Sequence, residues 1–198
     1  MKIIPFVLLL LLSATAFSQT NPPAKNTDPA TSAWALRQAQ FKAAEGKNYY
    51  ELTNADSIFQ AAGIARPHGA CMLSFWFAGC APCVAEFPEL ANLTKKYAAE
   101  NFTLLSLTFE NNPVIQQFQE KYNLSFIPKH ISEAACNKLA FGGGYPKNII
   151  LDASGNIVLI SMGGGIDPKG SAMHFAAEII PAIDKALQQS QDIKATYK

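Results

Sequence analysis

The chain has 198 residues, with 16 Lys and Arg against 15 Asp and Glu, for a formal net charge of +1. So even a balance leaves no electrostatic footprint for nucleic acid or an anionic membrane surface. The length suits one domain with a single core and some decoration. Four cysteines allow two bridges, or one reactive pair and two others.

The first segment predicts export. Lys2 gives a small positive start, Ile3 to Leu12 form an apolar run interrupted by Pro5, and Ala16-Phe17-Ser18 offers small residues for cleavage before Gln19. This is the layout of a secretory signal peptide over residues 1–18. The apolar run is shorter than the roughly 20 residues that span a bilayer, and no cysteine follows it to carry a lipid anchor. Residues 19–31 are polar and proline-rich, as in a flexible leader. Residues 32–45 predict a helix with Ser32 as N-cap and Trp34, Leu36, Phe41 and Ala44 as contacts. From Gly46 to His68 the pattern is weak, and Tyr49, Tyr50 and Leu52 suggest the start of a strand or hairpin.

The signal then sharpens. Cys71 to Phe77, apolar except for Ser74, reads as a strand covered on both faces. Pro82 to Ala99 reads as a helix, with Val84, Phe87, Leu90, Leu93 and Tyr97 at helical spacing. Phe102 to Phe109 is a second apolar strand, Val114 to Tyr122 a helix, Leu124 to Ile127 a short strand and Ser132 to Leu139 a short helix. Ile149 to Asp152 and Ile157 to Ile160 flank Ala153-Ser154-Gly155-Asn156 as a hairpin. Ser171 to Gln189 closes the chain as an amphipathic helix that Pro181 should kink or divide. The order β-α-β-α, hairpin, helix predicts an α/β fold whose mixed sheet carries helices on both faces.

Cys80-Ala81-Pro82-Cys83 falls where the first strong strand ends and a helix begins. At this spacing two sulfurs can join across the first helical turn. Unpaired N–H groups and the partial positive charge of the helix start favour a thiolate on Cys80. A thiolate is the attacking species in exchange through a mixed disulfide. Cys83, one turn inside, should be less exposed and resolve that intermediate. Pro82 suits the first turn because it lacks an N–H that would have no intrahelical partner. Zinc also uses C-x-x-C, but wants a second such pair or a Cys/His set. Cys71, Cys136, His68 and His130 are scattered, so no metal site is expected. Haem attachment wants a histidine after the second cysteine, where Val84 stands. Neither glycine triplet, 142–144 or 163–165, has phosphate-loop spacing, and both suggest turns.

Together, the strand with Phe75-Trp76, the dithiol, Glu86 and Pro88 resemble the thioredoxin superfamily, in particular its exported TlpA/ResA-like thiol-disulfide oxidoreductases. Gly143-Gly144-Tyr145-Pro146-Lys147-Asn148-Ile149-Ile150-Leu151-Asp152 is similar to the second signature of that group, in which the proline is cis and lies against the dithiol. The resemblance implies a thioredoxin-like three-layer α/β/α fold with a mixed central sheet over residues 46–190. Residues 19–45 would then be a leader and N-terminal extension, and 191–198 a tail. It implies catalytic roles for Cys80, Cys83 and Glu86, the glutamate tuning the cysteines and moving protons. A buried carboxylate could serve as base for Cys83, whereas a solvated one would only complement the helix dipole. Ala81, Pro82, Tyr145 and Pro146 are the candidate substrate-binding residues, the Tyr145 backbone pairing with an extended substrate strand.

The resemblance also implies a periplasmic reductant without a bound cofactor, acting as a monomer. Its partners would be exported proteins carrying disulfides or thiols, apocytochrome c among them, and a membrane thiol donor. A peroxiredoxin-like peroxidase and a copper metallochaperone are alternatives on the same fold. The chain departs from the pattern twice. Ser74 stands where thioredoxin carries a buried aspartate, which moves weight to Glu86 as proton acceptor. Gly79 stands where the family usually has tryptophan, which should open the surface around Cys80. Cys71 and Cys136 fit either a structural bridge or two small buried hydrophobes. His68, His130 and His174 receive no role.

Overall fold

The computed structural model describes residues 29–142 and 144–196. The expected signal peptide, the leader as far as residue 28, Gly143 and the last two residues lie outside the described residues. In chain order the structure opens with α1 (Pro29–Ala44), α2 (Tyr49–Thr53) and α3 (Ala55–Ala61), followed by β1 (Ala70–Trp76) and α4 (Ala81–Lys96). Next come β2 (Phe102–Thr108), α5 (Asn112–Tyr122), β3 (Lys129–His130) and α6 (Glu133–Leu139). The chain ends with β4 (Lys147–Leu151), β5 (Ile157–Met162), α7 (Pro168–His174), a π-helical turn (Phe175–Ile179) and α8 (Ile180–Thr196).

The strands form one sheet in the order β3-β2-β1-β4-β5. The central strand β1, buried at every residue, runs parallel to β2 and antiparallel to β4. β3 adds parallel to β2 at one edge, and β5 antiparallel to β4 at the other. Strand alternation sorts the side chains of β1 between two cores. Ala70, Met72 and Trp76 meet Phe87 and Leu90 of α4, Phe118 of α5, and Phe175 and Ile183 at the end of the chain. Cys71, Leu73 and Phe75 share the opposite core with Phe41 of α1, Tyr49 of α2, Phe59 of α3 and Leu139 of α6. The result is the three-layer α/β/α arrangement with a mixed sheet.

Several local expectations give way to tertiary context. Tyr49 and Tyr50 are not strand residues. Asn48 accepts hydrogen bonds from the N–H groups of Tyr50 and Glu51, which caps α2. Asn54, at φ 56°, then separates α2 from α3. Both tyrosines are buried, and an isolated bridge between Asn48 and Asn156 is all the strand pairing this stretch makes. The short strand expected at Leu124 to Ile127 lies instead at Lys129–His130. Phe126 inserts into the core and Leu124 packs against it, whereas Ile127 is exposed. Ser32 sits within α1, not at its cap. Of the four apolar residues expected to pack from that helix, Phe41 and Ala44 are buried while Trp34 and Leu36 are exposed. The closing helix runs on to Thr196, through most of the expected tail. Pro181 neither breaks it nor ends it. The π-helical turn lies immediately before the proline, with Ile180 N–H donating to the Phe175 carbonyl, so the missing donor falls next to an already widened ladder.

Candidate active site

Helix α4 begins at the dithiol. Cys80 is its N-cap, with φ −91° and ψ 91°, and its Sγ accepts a hydrogen bond from the Cys83 N–H at 3.2 Å. Pro82 occupies the first turn, and the two sulfurs are joined as a disulfide with a Cα–Cα distance of 5.2 Å. The first-turn amide that stabilises the Cys80 sulfur here would also favour its thiolate after reduction. Cys80 is 5% exposed and Cys83 1%.

Gly79 is exposed, and Cys80 beside it is buried. A side chain on Gly79 would meet Phe77 Cε2 at 3.1 Å, so the Phe77 ring lies alongside that position. Phe77 stacks on Phe109 with ring centroids 5.8 Å apart and meets Tyr145 edge-on at 5.5 Å. Glu110 fixes the approach to the dithiol, its Oε1 accepting the Ala78 N–H at 2.8 Å. These three residues, Phe77, Phe109 and Glu110, escape sequence reasoning because their contacts join β1 to the end of β2.

The Tyr145–Pro146 peptide is cis. Register pairs Phe75 with Lys147, which sets Pro146 beside the end of β1. Tyr145 packs against the core cluster that contains Cys80 and Cys83. Ala81 lines an apolar groove of ≈ 530 Å³ together with Val84, Phe87, Pro88, Tyr122 and Ile166. All seven candidate residues from the sequence therefore lie around one end of β1 and the start of α4.

Glu86 is not a solvated first-turn acid; it is 1% exposed. Asn148 Nδ2 donates to its Oε2 at 2.9 Å, and its Oε1 has no hydrogen-bond partner. Burial raises the carboxyl from 4.5 to about 7, against the lowering effect of the Asn148 bond. Beneath it lies a row that sequence reading misses: Ser106, Ser74, Asn148 and Ser161 are consecutive cross-strand partners from β2 to β5. Trp76 is core support for this row, donating its indole N–H to Ser106 Oγ at 3.0 Å.

Cys71 and Cys136 are separate buried thiols, not a bridge. Burial pushes the Cys71 thiol far above its usual value, and burial with the nearby Glu133 carboxylate pushes Cys136 up to about 12. Neither is poised to react. Lys147 is fully buried after the cis-proline, its Nζ 4.2 Å from the centre of the Phe41 ring and 3.2 Å from Met162 Sδ. Burial and the Arg37 charge lower its ammonium to about 8. His130 is tied to the Glu110 carbonyl at 2.8 Å. Among the described residues no group of His, Cys, Asp and Glu side chains is arranged to hold a metal ion.

Comparison with known proteins agrees with this geometry. The family model described as Redoxin matches residues 52–172, more than half of the chain. The thiol-disulfide oxidoreductase ResA of Oceanobacillus iheyensis is 28% identical over 93 residues, a match covering 46% of this chain and 48% of that protein. The chain thus matches about half the length of this relative. A crystal structure from Chlorobium tepidum, described as a thiol:disulfide interchange protein DsbE, superposes with a TM-score of 0.50 at 20% identity. The superposition covers 59% of this chain and 82% of that one. At that identity the likeness is one of fold. The chain belongs to the Redoxin family, as a ResA-like member of the thioredoxin superfamily.

Proposed function

We propose that the protein is a thiol-disulfide oxidoreductase that reduces disulfides in other exported proteins. The observation that carries this reading is the placement of Cys80 as the cap of α4, with its sulfur on a helix N–H and Cys83 within bonding distance. In the reduced protein the Cys80 thiolate attacks a substrate disulfide, one substrate sulfur leaves, and a mixed disulfide forms. Cys83 then gives its proton to the Glu86 carboxylate and attacks Cys80, which releases the second substrate sulfur and restores the Cys80–Cys83 bond. A group near 7 suits this exchange at neutral pH. Tyr145 and Pro146 hold the substrate backbone, and the groove lined by Ala81 receives an apolar stretch of its chain.

The start of the sequence supports export, and with it a periplasmic site of action. There the protein would be recharged by a membrane thiol donor and act on exported chains, apocytochrome c being one class. Insulin-disulfide reduction tests the chemistry: Cys80→Ser should abolish it, and unchanged turnover would overturn the assignment. The equilibrium potential of the pair against glutathione tests the direction. A value near −270 mV is expected of a reductant, and one near −120 mV would mark an oxidant.

A further inference from the structure

We propose that Glu86 exchanges its proton with solvent through Ser161 and His174, at the outer edge of the sheet beside β5. This rests on the reading of Glu86 as the base for Cys83. When the dithiol reduces a substrate disulfide, two electrons leave it, the Cys80–Cys83 bond forms and the bond between Cys80 and the substrate sulfur breaks. The departing sulfur draws its proton from water, while the Cys83 proton passes to Glu86. A carboxyl 1% exposed has no direct contact with bulk water through which to give that proton up.

The surrounding geometry supplies a route. Asn148 holds Oε2, which leaves Oε1 as the end without a hydrogen-bond partner. Oε1 faces Gly164: a side chain there would lie 3.2 Å from Oε1 and 3.1 Å from His174 Cδ2. With glycine in that place no side chain stands between Oε1 and the Cδ2 edge of the imidazole, and the route runs from a water held there to Ser161 Oγ, which lies on His174 Nε2. The Asn148 Oδ1 atom is likewise buried and unpartnered, and buried polar atoms of this kind are where internal water is held. Asn148 is in register with Ser161, whose Oγ is 3.0 Å from His174 Nε2 and 3.4 Å from Glu178 Oε2. His174 Nδ1 lies 3.8 Å from Glu178 Oε1. Ser161, His174 and Glu178 line a cleft of ≈ 320 Å³ along β5, and the Glu178 side chain is 56% exposed.

The charges facing this track are few. Besides Glu86 and Cys83 from α4, α7 contributes His174 and the π-helical turn Glu178. Lys42 and Glu45 of α1 line the same cleft and pair with each other. The His174 ring carries one nitrogen at Ser161 Oγ and the other toward Glu178, so it can accept a proton at one and release it at the other. Ser161 and His174 are positioning residues here, acting through Glu86.

The test follows closure of the disulfide when the reduced protein meets excess oxidised glutathione, read by tryptophan fluorescence across neutral pH at low and high buffer concentration. His174→Ala and Ser161→Ala should each slow closure at low buffer by about a hundredfold, the lower end of what assisted proton transfer contributes. Added imidazole or concentrated buffer should restore the rate, with the equilibrium against glutathione unchanged. Wild-type rates in both variants would overturn the route. So would slowing that no buffer rescues, because a packing defect is indifferent to buffer. Glu86→Gln separates the two readings. If it slows closure while the His174 and Ser161 variants do not, the route alone fails; if it changes nothing, the base assignment fails and takes the route with it.

Discussion

A carboxyl moved from 4.5 to about 7 by burial carries a consequence for stability as well as for chemistry. The folded state binds the proton more tightly than the unfolded chain does. Its contribution to stability is therefore full below pH 4.5, and is lost as pH rises from there to about 7. The difference across that window is about 3 kcal/mol. Glu86→Gln should remove this slope, leaving the oxidised variant more stable than the parent at pH 8 and not at pH 4. Urea denaturation at the two pH values checks the outcome, and equal shifts at both would contradict a buried, titrating Glu86. The sequence placed this residue on the correct side of the helix, one turn past Cys83. It could not reveal the burial, because the partner that fixes it, Asn148, is 62 residues away.

Among the elements, α1 has the least obvious tie to the rest. It is anchored largely by Phe41, 3% exposed, while Trp34 and Leu36 on the same helix face solvent. Phe41 also supplies the ring against which the buried Lys147 ammonium rests. Phe41→Ala should cost about 3–5 kcal/mol through the cavity and the lost ring contact, measured as a drop in the urea midpoint. A change below 1 kcal/mol would mean that α1 is a loosely held appendage. Strand β1, helix α4 and the β4–β5 hairpin were legible because each is specified locally, by an unbroken apolar run, a helical period or a turn between two such runs. The stretch from Tyr49 to Ala61 was not. Its two tyrosines bury themselves from a short capped helix, and a cap such as Asn48 is a weak signal beside two residues of high strand propensity. At Leu124 to Ile127 the apolar residues serve the core and not the sheet, and apolar composition alone does not separate the two uses.

At the scale of the whole molecule, two of the four cysteines are joined at the start of α4, and the other two lie deep in the sheet and α6. Cys71 and Cys136, at 1% and 0% exposure, give the oxidised protein an internal clock. With Cys80 and Cys83 blocked by their own bond, an alkylating reagent has these two thiols to find. It can reach them only during moments when the layers part. Labelling in native buffer should therefore report how often the core opens. Two adducts should appear together and slowly, and should appear at once in denaturant. Rapid labelling of either thiol in the folded protein would mean that its layer opens independently. The same burial would protect the pair wherever the surroundings are oxidising: while the core stays shut, no third sulfur competes for Cys80, and each opening lets one in.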